Sequence, residues 1–177
     1  MPDTINAALL ILRVGLGIVF LAHGVKHALG RQKTTKWFKW LGFKAPGFQW
    51  FASTTTEIAV GVLLIAGFLT GFAAAGVVGV MFVAFWTVHR HAGFFITAFM
   101  KEDVDVEGWE YVAFLSVAAA ALAIGGPGAW SVDHQLIVDA TSVADLLDGR
   151  IGALLLGGGV VVAAIQLAVF WRPTRPS

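Results

Sequence analysis

Two histidines one helical turn apart, His23 and His27, flank Lys26 at the end of a long apolar run, in the stretch "FLAHGVKHALG". Imidazole gives and takes a proton near neutral pH and also binds metals. Positions i and i+4 of a helix share a face, so the pair can act on one partner. Glu57 sits inside a second apolar run, where a carboxylate can exchange a proton or pair with a cation. His89, Arg90 and His91 close a third run, Glu110 and Tyr111 open a fourth, and Arg13 lies within the first. This is a set for proton exchange and for hydrogen bonding to a polar head. The chain has no cysteine, which excludes thiol catalysis, iron–sulfur clusters and thiolate zinc sites. No residue here holds electrons without a bound cofactor.

The elements that carry these groups follow from hydropathy. Of the 177 residues 58% are hydrophobic and 13% charged, with mean hydropathy +0.80. A soluble domain of this size does not hide that much apolar surface, so the composition points to an integral membrane protein. A span needs roughly 17–25 mostly apolar residues. Five segments qualify, at about Ala7–Ala28, Phe51–Leu69, Phe72–Thr87, Trp109–Ile124 and Gly152–Trp171; the third and fourth are short and need an extra turn at their ends. The N-terminus has no basic region or clear cleavage site, so the first run reads as an uncleaved span. Glycine recurs in every span but the fourth, as helices packing closely in lipid require.

Lysine and arginine set the expected orientation. The first loop holds Arg31, Lys33, Lys36, Lys39 and Lys44, the third adds Arg90 and Lys101, and the tail adds Arg172 and Arg175, against Arg150 on the other side. The N-terminus is expected outside and the C-terminus in the cytoplasm. In the first loop, helical spacing puts Lys33, Lys36 and Lys39 on one side and Trp37, Phe38 and Leu41 on the other, with Trp40 at the border. Such a helix lies along an anionic leaflet with its tryptophans at headgroup depth. Anionic lipid is partner enough for these cations, so nucleic acid is not expected.

An ionisable side chain at the centre of a span costs about 2.5–3.5 kcal/mol on insertion scales, so such groups face a bundle interior, a cavity or each other. Alternating spans bring His23, Glu57 and either His89 or Glu110 to similar depth in the cytoplasmic half. They are expected to line one pocket, with Lys26, His27, His91 and Tyr111 in a supporting network. Arg13, ten residues before His23, belongs to the supporting polar network but should lie apart from the pocket, about 15 Å deeper, where it reaches toward the outer interface or pairs with a carboxylate.

The motifs in order resemble the DoxX family of small integral membrane proteins. "LLILRVGLGIVFLAHGVKHALG" has its arginine, spaced glycine pair and His-Gly step followed by lysine. "TEIAVGVLLIAGFLTGFAA" has Glu-x-x-x-Gly and Gly-x-x-Thr; "HAGFF" and "GWEY" follow, and "GPGAWSVD" closes the pattern. The resemblance covers about residues 7–135 and implies an all-α, four-helix membrane bundle. The polar positions it carries over are Arg13, His23, Lys26, Glu57, His91, Glu110, Ser131 and Asp133. It also implies association with redox systems: some relatives are subunits of thiosulfate:quinone oxidoreductase, others group with oxidative-stress or thiol-metabolism complexes. Residues 136–177 depart from it, adding an acidic connector, a fifth span and a short basic tail.

The function expected is that of an integral plasma-membrane subunit of an oxidoreductase complex, meeting membrane quinone at His23, Glu57, His89 and Glu110. No intrinsic cofactor and no metal site are expected. The protein partners and any homo-oligomer are left open. The alternative is a structural anchor or assembly factor in which the ionisable groups fix helix register. A haem or metal protein is less favoured, because only His23 is clearly inside a span. Vitamin K epoxide reductase-like enzymes also handle quinones in helical bundles, but they need cysteines.

Overall fold

The computed structural model describes residues 2–100, 105–137 and 149–173. Lys101, Arg175 and most of the acidic connector lie outside the described residues. The described chain is all helical apart from a single bridge: α1 (Asp3–Leu29), α2 (Arg31–Trp40), α3 (Pro46–Ala66), α4 (Thr70–Ala84), α5 (Glu110–Gly125), α6 (Val132–Ile137) and α7 (Gly149–Phe170). The protein is a multi-pass membrane helical bundle. Four helices are long and apolar enough to cross a bilayer: Asp3–Leu29, Pro46–Ala66, Thr70–His89 and Gly149–Phe170. The third reaches that length because a π-helical turn, Phe85–His89, continues α4. The expected fourth span, α5, is shorter: its 16 residues rise about 24 Å against a hydrocarbon core of about 30 Å.

α1 packs most closely on α3, and α4 on α7 and α5. Successive helices run in alternating directions, so the chain ends lie at opposite ends of the bundle. At one end Asn6 Oδ1 accepts from Ala129 N (2.9 Å) and Asp133 N donates to Gly67 O (2.8 Å). We call this the closed end. At the other, Phe43 bridges Trp171, Arg172 N donates to Gly42 O (2.9 Å), and Trp171 Nε1 donates to Leu41 O (2.9 Å). Phe38, Leu41, Phe43 and Leu167 form a small buried core there, apart from the main one around Leu16, Leu64, Val77 and Leu122.

The fifth long segment is built into the bundle. α7 runs parallel to α4, and the spacing Gly71, Ala75, Gly79 gives α4 a flat face against Leu155, Gly159 and Ala163. A Cβ at Gly159 would run into the carbonyl of Ala75, so only glycine permits this approach. α2 begins two residues earlier than the lysine spacing suggested. It buries Thr34 and Phe38 and exposes Lys33, Lys36, Trp37, Lys39 and Trp40. Trp37 and Trp40 are thus exposed along with the lysines, where the spacing set Trp37 opposite them and Trp40 at the border.

Candidate functional site

The two ends of the bundle use polar groups differently. At the closed end Arg13, Asp133 and Ser131 are spent on the protein. The Arg13 guanidinium, 1% exposed, donates to Leu64 O (3.1 Å), Ile65 O (2.9 Å) and Trp130 O (2.6 Å). It thereby caps the C-terminus of α3, where carbonyls lack helical partners and the dipole favours a cation. Asp133 accepts from Leu69 N (2.7 Å) and Thr70 N (2.9 Å), capping the N-terminus of α4 from 63 residues away. Ser131 Oγ donates to Gly128 O (2.6 Å) and accepts from His134 N (3.1 Å). The two charges interact, so Arg13, Asp133 and Ser131 form one clasp over the α3–α4 turn. All three of its residues are positions that the family resemblance carried over.

At the other end the polar groups face a cavity of about 990 Å³. That is near the top of the range of about 300–1,000 Å³ found for ligand pockets. Its wall on α4 and the π turn runs from Phe72 to His89, about 25 Å of helix axis. The shape is a long apolar slot with a polar half.

α1 contributes His23, Lys26 and His27 to that half, and α3 contributes Ser53, Thr56 and Glu57. Glu57 is 4% exposed. Ser53 Oγ donates to its Oε1 at 2.7 Å, and His27 Nδ1 lies 3.2 Å from its Oε2. Its own helix thus orients the carboxylate, and His27 stands within ion-pair distance on α1 without completing a hydrogen bond. The joint is braced behind: Trp50 Nε1 donates to His27 O (2.8 Å), and Arg31 lies over the Trp50 ring at 4.7 Å. His89 reaches the cavity from the π turn, a distortion common at functional sites. The ring Nδ1 is 2.7 Å from Glu107 O, and a carbonyl only accepts, so Nδ1 carries the proton and Nε2 is left for another contact.

His23, Glu57 and His89 therefore line one cavity, together with Lys26, His27 and Tyr111. Glu110 does not. Its carboxylate accepts from Ile96 N at 2.9 Å and holds the 3₁₀ turn Ile96–Met100, because the first turn of α5 aims it away from the slot while Tyr111 turns in. His91 is exposed and outside the lining. Arg90 is stacked between Trp86 (5.4 Å) and Trp171 (5.3 Å). Arg13 lies away from the cavity, and it meets carbonyls rather than the outer interface. Among the described residues no group of three or more His, Asp or Glu side chains is placed to share a metal ion.

Sequence reasoning did not find Ser53, Thr87, Trp37 or Gln166 in the lining. Ser53 was accessible to it, being one turn before Glu57 on the same face. For Gln166 the available signal is that of a lone amide in an apolar span.

Comparison with curated proteins and with solved structures finds no match. A family model does match, over α1 to the end of the π turn. The stretches "GWEY" and "GPGAWSVD" fall beyond it, as does all of α7. The matching model is that of DoxX, which the chain resembles over residues 8–90.

Proposed function

We propose that this chain is a membrane subunit of an oxidoreductase complex and that its cavity binds membrane quinone. The observation that carries the reading is the contrast between the two ends. At the closed end Arg13 and Asp133 are consumed in capping helices. At the cavity end His23, Lys26, Glu57 and His89 border the polar half of a cavity whose wall runs about 25 Å in all and whose other half is apolar. A quinone has a polar ring and an isoprenoid tail, and this wall offers hydrogen-bonding groups for one and apolar surface for the other. Electrons come from a partner protein, since this chain needs no redox centre of its own for that role. The excess of lysine and arginine at the cavity end supports an orientation with that end in the cytoplasmic half of the plasma membrane and the N-terminus outside. A structural anchor is the second reading, favoured by the Ser53–Glu57–His27 contacts that join α1 to α3.

The test uses the purified chain in phospholipid nanodiscs, titrated with ubiquinone-1 and followed by tryptophan quenching. Saturable binding is expected. His23→Ala should weaken it while leaving yield and melting temperature near wild type. A wild-type protein that shows no saturable quenching refutes the reading. A His23→Ala protein that loses yield and keeps its affinity favours the anchor.

A further inference from the structure

We infer that Gln166, carried by α7 outside the segment that matches the family, is a headgroup-binding residue of the cavity and that Gln49 positions it. The inference takes its ligand from the quinone reading above. Gln166 is the one polar side chain between Gly152 and Phe170. A polar group in a span is costly unless it finds partners. Gln166 has one: its Nε2 donates to Gln49 Oε1 at 2.7 Å, linking α7 to α3. Gln49 is 0% exposed, and its own Nε2 has no hydrogen-bond partner. A pair of amides serving only to join helices would be sealed between them. Here one member is sealed and the other forms part of the cavity wall.

The chemistry left over suits a ligand that changes redox state. A primary amide has two N–H donors and a carbonyl with two lone pairs. The bond to Gln49 consumes one of these four, whichever way the amides are turned, so Gln166 keeps both a donor and an acceptor. Quinone carbonyls only accept, whereas quinol hydroxyls also donate. An amide holds either form without moving. An ionised carboxylate meets only the quinol, and a lysine ammonium leaves the quinol's own O–H without an acceptor.

The placement also suits a ring with oxygens at opposite ends. Gln49, Ser53 and Glu57 are spaced four apart and form one stripe on α3. Gln166 attaches at the Gln49 end of the stripe and His27 at the Glu57 end. The ends are about 12 Å apart along the axis. One ring oxygen would meet the Glu57 side and the other Gln166. α7 then continues the wall: a Cβ at Gly158 would meet nothing within 4 Å, leaving space beside the tail.

The test is photolabelling of the wild-type full chain in nanodiscs with an azido-substituted, short-tailed ubiquinone, mapped by peptide mass spectrometry. Label competed by ubiquinone-1 is expected on α7 near Gln166 as well as on α1 or α3. Competable label on α1 or α3 with none on α7 overturns the inference and leaves the quinone reading standing. No competable label anywhere overturns both. Gln166→Leu should weaken ubiquinone-1 binding about tenfold, the value of one good hydrogen bond, with its melting temperature held. Gln166→His, which restores a donor and an acceptor, should recover part of the loss. Unchanged affinity in Gln166→Leu overturns the inference. So does an affinity loss that only follows a loss of stability. If that variant does not insert, the wild-type labelling pattern decides.

Discussion

Replacing Arg13 by methionine should destabilise the bundle strongly, although Arg13 is a charge buried in a span. Its guanidinium makes three hydrogen bonds to backbone carbonyls. At about 1.5 kcal/mol each, the low end for a charged donor, these contribute about 4.5 kcal/mol. Removing the charge returns about 2.5–3.5 kcal/mol of insertion cost. The difference, about 1–2 kcal/mol, is not the whole effect. Asp133 is 1% exposed and loses the cation it interacts with. Leaving a buried charge without its partner adds about 3 kcal/mol. The total of about 4–5 kcal/mol corresponds to a fall in melting temperature of about 10–15 °C for a chain of this length. The assay is thermal unfolding in detergent, read by fluorescence-detected size exclusion. The double change Arg13→Met with Asp133→Asn should recover part of the loss, because it removes the orphaned charge. An Arg13→Met protein within about 3 °C of wild type would refute the clasp. So would a double variant as unstable as the two single changes added together.

Other consequences are open to direct measurement. Gly159→Leu should separate α7 from α4, lower the melting temperature by several degrees and open the cavity wall, because its side chain meets the Ala75 backbone; an unchanged melting curve would show that the helices do not touch there. Cysteines introduced as Asp3→Cys and Ser177→Cys should react with an impermeant maleimide from opposite faces of the membrane, and labelling from one face would overturn the proposed topology. Changing Lys33, Lys36 and Lys39 together to glutamine should reduce quenching of Trp37 and Trp40 by headgroup-depth probes in anionic bilayers, at about 1 kcal/mol of surface attraction per lysine. Equal quenching in neutral and anionic bilayers would remove lipid charge from the account.

The class of the molecule was legible in the residues themselves. Long apolar runs must be helices in a bilayer, because lipid offers no partner to an open backbone. The basic loop read as an amphipathic helix for a similar reason, since three lysines at helical spacing divide a surface without help from the rest of the chain. The depths of His23, Glu57 and His89 could also be counted along alternating helices. What counting could not provide was azimuth. Glu110 and Tyr111 are neighbours at one depth, and only the packing of α5 decides that the tyrosine enters the cavity while the carboxylate caps a 3₁₀ turn. Arg13 read as a charge bound for the outer interface or for a carboxylate; it interacts with Asp133, and backbone carbonyls receive its hydrogen bonds. Those carbonyls become available only where α3 ends beside it. The role of α7 was the least visible. Its sequence reads as an added span, and the glycine that lets it reach Ala75 and the glutamine that meets Gln49 acquire meaning only from partners more than 80 residues away. Local pattern and hydropathy determine that a helix forms and spans. Which face it turns inward is settled by close packing against other helices, a property of no single segment.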